Sequence, residues 1–284
     1  MVISVVDLLG LHPDPKPGSV RPDGSHLSWQ LTVSGALLNS AGTLWGGVGL
    51  SAFVAAAERA VGRRCVWATV QYLTPIREGQ QLHMDVDIGS EGIALTQASG
   101  RGTVDGQPAL LAIGTFGGDG PNDLQFSNAP KIAPPQDCEL RSMPHPWGGG
   151  MLEQIEQRTL PGMAMPHPDG HPGTGRTMLW MRLKDVDGQP VAPEVGALAV
   201  LADLAPSGIS EAVGRPTFGT SLDNSIRAAR LPDQESSGWV LLDITVEAVV
   251  GRVAQLQARM FDESGRLLAV CGQSARLRRP SRRT

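Results

Sequence analysis

Positions 60–63 read Ala-Val-Gly-Arg, and the same four residues return at positions 212–215, an offset of 152 (212 − 60). The surroundings match as well as the tetrapeptide. In each copy an apolar, helix-like run leads into it, and a strand-like segment follows that opens with a small hydroxyl residue, Thr69 in the first and Ser221 in the second. A chain that repeats once at domain length is expected to be two copies of one fold packed against each other. Polar positions where the copies have diverged then mark the chemistry that one copy holds alone.

The length allows this, since 284 residues suffice for two hydrophobic cores. A hydrophobic content of 41% with 18% charged residues is that of a globular chain. The net charge of −4 argues against nucleic acid as the main partner, and the basic run at positions 276–283 is expected to be a solvated terminus. Cys65, Cys138 and Cys271 form no CxxC pair or zinc-type spacing, which predicts a reducing compartment rather than a disulfide framework. The N-terminal residues lack a basic segment before Asp7, so no signal peptide is expected. No apolar run approaches the roughly 20 residues of a membrane span. These features together predict a soluble, cytoplasmic protein.

Along the chain, positions 8–24 are rich in Pro, Gly and Asp and predict an irregular lead-in, followed by a strand at 27–33. Leu44-Trp45-Gly46-Gly47 then opens a helix whose Leu50, Phe53, Val54, Ala57 and Val61 share one stripe, with Gly62 as the closing cap. Strands are predicted at 65–74, 80–88, 93–104 and 108–116, with Asp105-Gly106 as a tight hairpin turn. The aperiodic, Gly/Pro-rich stretch around 118–150 is expected to be a linker. The second copy repeats the order: strands at 152–158 and 177–183, a helix from Pro193 interrupted at Pro206, and strands at 220–227, 239–249, 252–261 and 267–277. The expected domains are thus 1–118 and 151–284, joined by 119–150. His145, His167 and His171 sit in Pro/Gly-rich sequence without acidic partners at ligand spacing, so no metal site is expected there, and His83 falls on the polar side of its strand.

Each copy is one long helix followed by an antiparallel run of strands. Such a helix must bury its apolar stripe, and the concave face of a curved sheet is the surface available. Two tandem units of this kind make an α+β double hotdog.

The offset pairs Asp203 with Ser51 and Ser221 with Thr69, and alignment of the hairpin glycines Gly106 and Gly265 pairs Gln273 with Gly114. Asp203 and Gln273 therefore have no counterpart in the first copy. Both are physically odd. Gln273 interrupts the apolar row Leu267, Ala269, Cys271, Ala275, Leu277, where an unpaired amide would cost about 1–3 kcal/mol. Asp203 follows Leu198-Ala199-Val200-Leu201-Ala202, where burial would raise its pKa unless it is paired. A structural hydrogen bond tying helix to sheet and a catalytic role account for these residues equally well.

The second half resembles the acyl-CoA thioesterase II family of double-hotdog enzymes. The matching pieces are Leu201-Ala202-Asp203-Leu204, Thr220-Ser221-Leu222-Asp223, and Gly265-Arg266-Leu267-Leu268-Ala269-Val270 leading to Gln273; Leu44-Trp45-Gly46-Gly47 is similar to the family's Leu-Phe-Gly-Gly. The resemblance implies that Asp203, Ser221 and Gln273 hold a hydrolytic water, that acyl-CoA is the substrate, and that no cofactor is needed. Gly46 and Gly47 are candidate backbone donors to the substrate oxygen, and a turn that opens the helix explains them as well. The chain departs from the family in reading Asn224-Ser225-Ile226-Arg227-Ala228-Ala229-Arg230 where a His and Phe-His-Arg-Pro are usual, and Ser274-Ala275 in place of Glu-Gly.

Two rivals remain. A hotdog hydratase would need a histidine near Asp223-Asn224, and none of the six histidines falls on the second helix or its strands. A non-catalytic acyl-CoA-binding module is compatible with the altered segment after Asp223. No Gly-x-Ser-x-Gly elbow or phosphate loop occurs. Self-association into a homo-oligomer is expected, because sheet edges and backs need covering.

Overall fold

A computed structural model describes residues 2–15, 19–118, 126–141, 149–160, 170–229 and 237–277. Helices α1 (Val5–Leu9), α2 (Gly46–Val61), α3 (Val195–Ala202) and α4 (Gly208–Ala212) are set against strands β1 (His12–Pro13), β2 (Ser28–Thr32), β3 (Cys65–Tyr72), β4 (Gln81–Glu91), β5 (Leu95–Val104), β6 (Gln107–Gly117), β7 (Glu139–Leu140), β8 (Ile155–Thr159), β9 (Arg176–Leu183), β10 (Gly219–Ala228), β11 (Val240–Val250), β12 (Val253–Phe261) and β13 (Leu267–Leu277). The strands form one sheet in the order β1-β2-β4-β5-β6-β3-β10-β13-β12-β11-β9-β8-β7. It is a double hotdog, with the long helix of each half lying in the curve of that half's strands.

Helix α2 buries Leu50, Phe53, Val54 and Ala57 completely, as the stripe predicts. It ends where Gly62 turns left-handed (φ 65°) and donates its N–H to the Glu58 carbonyl. Gly214 in the second copy of the tetrapeptide is left-handed too (φ 67°), one residue beyond the cap Val213 of α4, and donates its N–H to the Glu211 carbonyl. Pro206 lacks an N–H and breaks the second helix into α3, a short 3-10 turn at Ala205–Ser207, and α4. The hairpin at Asp105 (φ 51°) and Gly106 (φ 74°) has the two positive φ angles of a type I′ turn.

Strands β3 and β10 pair antiparallel and join the halves into one sheet. In that seam Gln71 faces Asp223, and these are the two residues that the 152-residue offset makes equivalent. The pseudo-twofold axis therefore passes between them. Beneath the seam α2 crosses α3 so closely that a Cβ on Gly47 would lie 2.6 Å from the Ala199 carbonyl oxygen and 2.8 Å from Val200 Cα. The Trp45 indole adds a 2.9 Å hydrogen bond to the Val200 carbonyl.

Several expectations need correcting. The lead-in at 8–24 is not wholly irregular: Leu8 and Leu9 end helix α1, with Leu9 in the core, and His12–Pro13 pair with β2. The linker region is partly structural. Ala129, Ile132, Ala133 and Cys138 pack against Trp180, Trp239, Leu241 and Phe261, covering the outer side of the second half. His83 is not simply solvated, since its Nδ1 lies 2.7 Å from Asp14 Oδ2 and its side chain is only 24% exposed. The apolar run Val195–Ala212 is 78% buried in the fold, which makes it core. His171 is exposed, and His145, His167 and the arginines of the C-terminal tail from position 278 on lie outside the described residues.

Candidate active site

The C-terminal end of α3 delivers Asp203. It is the cap residue after eight buried positions, and only 7% of its surface is exposed. Facing it is β13, whose inward row carries Gln273 into the interior at 5% exposure. The Gln273 amide donates from Nε2 to Asp203 Oδ1 at 2.6 Å and to Ser221 Oγ at 2.7 Å. Ser221 in turn donates to Asp203 Oδ1 at 3.3 Å. The three residues singled out in the sequence thus close a triangle of hydrogen bonds, in which Gln273 Oε1 is buried with no hydrogen-bond partner.

Strand β10 adds a fourth member that strand alternation conceals. Its register against β13 slips between Ser221 and Asp223, so Leu222 is bulged. A bulge shifts the alternation by one residue. Ser221 and Asn224 consequently share the inner face, whereas strict alternation would send them to opposite sides. Asn224 is 1% exposed and donates from Nδ2 to Asp203 Oδ1 at 3.4 Å, and its Oδ1 has no hydrogen-bond partner.

The other side of the carboxylate belongs to the first half. The backbone N–H groups of Gly46 and Gly47, at the start of α2, lie beside Asp203 and favour its charged form. First-turn N–H groups have no partner within their own helix, and Trp45 offers no side-chain cap, so Asp203 of the second half fills that place. The glycines read as candidate donors to a substrate oxygen thus open the helix beside the carboxylate. A Cβ on Gly46 would stand 3.0 Å from Asp203 Oδ2, and 3.1 Å from the Tyr72 hydroxyl. Tyr72, the only tyrosine in the chain, donates to the Gly46 carbonyl at 2.6 Å.

Burial pushes the Asp203 carboxyl up to about 6, against the pull of the Gly47 N–H, Gln273, Ser221 and the Gly46 N–H. Burial, and then the charge of Asp203, holds the Tyr72 phenol well above its ordinary range. The site therefore combines a carboxylate poised to exchange a proton near neutrality, two amides and a hydroxyl to orient a small polar molecule, and a helix N-terminus. A narrow cleft beside Gln273 is lined by Ala202, Ala205, Asn224, Leu256 and Cys271. Among the described residues, no group of three or more His, Cys, Asp and Glu comes together as a metal site.

The pseudo-symmetric position in the first half lacks this chemistry. Ser51 stands at the place of Asp203, fully buried and with an unpartnered Oγ. At Gly114, which alignment of the hairpin glycines pairs with Gln273, a side chain would meet the Trp67 carbonyl at 2.9 Å and the Phe116 ring at 3.1 Å.

Comparison with known proteins gives the family and the fold. The acyl-CoA thioesterase C-terminal domain family model matches residues 135–277. A Novosphingobium aromaticivorans structure named for a thioesterase shares 31% identity, with a TM-score of 0.77 over 93% of this chain and 100% of that one. A hot dog fold protein from Alicyclobacillus acidocaldarius superimposes with a TM-score of 0.80 at 17% identity, over 97% of this chain and 98% of its own. The acyl-CoA thioesterase II from Mycobacterium marinum gives 0.72 at 20% identity, over 98% and 99%. The last two likenesses concern the fold alone. No curated protein matches the sequence. The chain is a double-hotdog protein with its polar site in the second half, and it belongs to the acyl-CoA thioesterase family.

Proposed function

We propose that the protein hydrolyses acyl-CoA thioesters to the free acid and CoA, with Asp203 as general base. The observation that carries this reading is the convergence of Gln273 and Ser221 on one oxygen of a buried carboxylate whose pKa is pushed up to about 6. A water placed among Asp203, Ser221 and Gln273 would lose a proton to the carboxylate as it attacks the thioester carbonyl. Gln273 Oε1, which has no protein partner, is an acceptor suited to orienting that water. The N-terminus of α2 at Gly46–Gly47 supplies positive potential beside the charge that develops on the carbonyl oxygen. The acyl chain and pantetheine arm would lie between the helices and the sheet. Solubility, a cytoplasmic location and assembly into homo-oligomers belong to the same proposal.

A non-catalytic acyl-CoA-binding module is the second reading, favoured by the Asn224–Arg230 segment that departs from the family. A panel of acyl-CoAs of different chain length, followed by release of the CoA thiol, separates the two. Thiol release with at least one chain length supports hydrolysis, and tight binding of every ester without turnover refutes it.

A further inference from the structure

The Gly46–Gly47 peptide lies between Tyr72 and Asp203. Its carbonyl, on Gly46, accepts a 2.6 Å hydrogen bond from the Tyr72 hydroxyl. Its N–H, on Gly47, lies beside Asp203 and favours the charged carboxylate, and a Cβ on Gly46 would stand 3.0 Å from Asp203 Oδ2. Carbonyl and N–H of one peptide lie in a single rigid plane, so an anchor on the first fixes the aim of the second. A hydrogen bond accepted by the carbonyl also polarises the plane and strengthens the N–H as a donor. Both glycines lie in the first turn of α2, so the helix sets the course of this peptide and the Tyr72 hydroxyl adds a further hydrogen bond on its carbonyl. Trp45 restrains the preceding residue through Val200, and Tyr72 is the side chain that bonds this peptide's carbonyl.

We propose that Tyr72 is a positioning residue: by anchoring the Gly46 carbonyl it directs the Gly47 N–H at Asp203 and so sets how readily that carboxylate takes up a proton. Tyr72 stands on β3 of the first half and the carboxylate on α3 of the second, which makes the phenol a link from one copy to the chemistry of the other. The link rests on the reading of Asp203 as the base. Asp203 and Tyr72 are titratable groups at this junction, and the charge of Asp223 also bears on the phenol. Strand β10 presents Ser221 and Asn224 there, β13 presents Gln273 and α2 presents its two glycines. The nearby carboxylate on β10, Asp223, accepts the Ser274 N–H.

The test is a titration of the Asp203 carboxyl carbon by ¹³C NMR, assigned with Asp203→Asn, alongside the pH profile of kcat. In Tyr72→Phe the carboxyl midpoint and the acid limb of kcat are expected to rise by about half a unit to one unit. The rate should then fall several-fold near pH 5.5, KM should stay close to wild type, and the rate above pH 8 should hardly change. Because the chain has one tyrosine, growth on 3-fluorotyrosine alters the donor at this position alone. The more acidic phenol is a stronger donor and should move the midpoint down. Opposite movement in the two proteins supports the proposal. An Asp203 carboxyl that titrates as in wild type in both proteins overturns it, whatever the activity. The carboxyl signal is read without turnover, so failure of the underlying reading shows separately, as normal hydrolysis by Asp203→Asn.

Discussion

A buried carboxylate with a raised pKa leaves a signature in stability that needs no substrate. Asp203 goes from an ordinary 3.8 to about 6 in the folded protein, chiefly because burial penalises its charge. Between those values the folded state binds a proton that the unfolded state has released. Its contribution is therefore fully favourable below pH 4 and is lost as the pH rises through 6. A displacement of about 2 units corresponds to about 3 kcal/mol by 7, of the same order as a large single-residue effect. Asp203→Asn removes the titration and keeps nearly the same shape. The amide will carry its own fixed cost, since its NH₂ faces the Gly46 and Gly47 N–H groups, but that cost does not vary with pH. Urea unfolding at intervals from pH 4 to 7.5 isolates the effect. Relative to wild type, the variant should gain about 2.4 kcal/mol across the range, most of it between pH 4.5 and 6.5. A difference between the two proteins that stays level from pH 4 to 7.5 would refute the claim that burial raises this carboxyl.

Three further substitutions probe the neighbours. Gln273→Glu puts a second carboxyl where the amide now stands 2.6 Å from Asp203 Oδ1, so the pair must share a proton; turnover at pH 7 should drop by about two orders of magnitude and recover in part at higher pH. Gly47→Ala pushes a methyl against Ala199 and Val200 backbone at 2.6 and 2.8 Å, and the urea midpoint should fall by an equivalent of about 1–3 kcal/mol. Ser51→Ala, at the corresponding place in the first half, deletes a buried hydroxyl that has no partner; it should raise stability by up to about 1 kcal/mol and leave turnover unchanged, and a loss of turnover would show that both halves take part.

The sequence carried the repeat, α2 and its Gly62 cap, the break at Pro206 and the two polar intrusions at Asp203 and Gln273, because each is a local pattern with a local cause. Asn224 was hidden by the bulge at Leu222, since a one-residue slip reverses the facing of everything beyond it and alternation gives no warning. A phenol that continues the buried row Ala68, Val70 was a visible signal at Tyr72, but its partner lies 26 positions away on another element and only tertiary packing brings the two together. The same holds for Gly46 and Gly47. Their likeness to a helix-opening turn was legible, yet the group they serve sits on the opposite half. The cover formed by Ala129, Ile132 and Cys138 escaped notice because Pro-rich backbone without periodicity can still bury scattered apolar side chains.

The most direct measurement is the single-turnover rate of acyl-CoA hydrolysis by wild type and Asp203→Asn, compared at saturating substrate and pH 7.5, with substrate affinity measured in parallel. If the carboxylate takes the proton from the attacking water, the variant should bind the ester about as well and cleave it at least a hundredfold more slowly. Cleavage within a few-fold of wild type would mean that the water is activated elsewhere, and that the bonds from Gln273, Ser221 and Asn224 serve only to hold helix and sheet together.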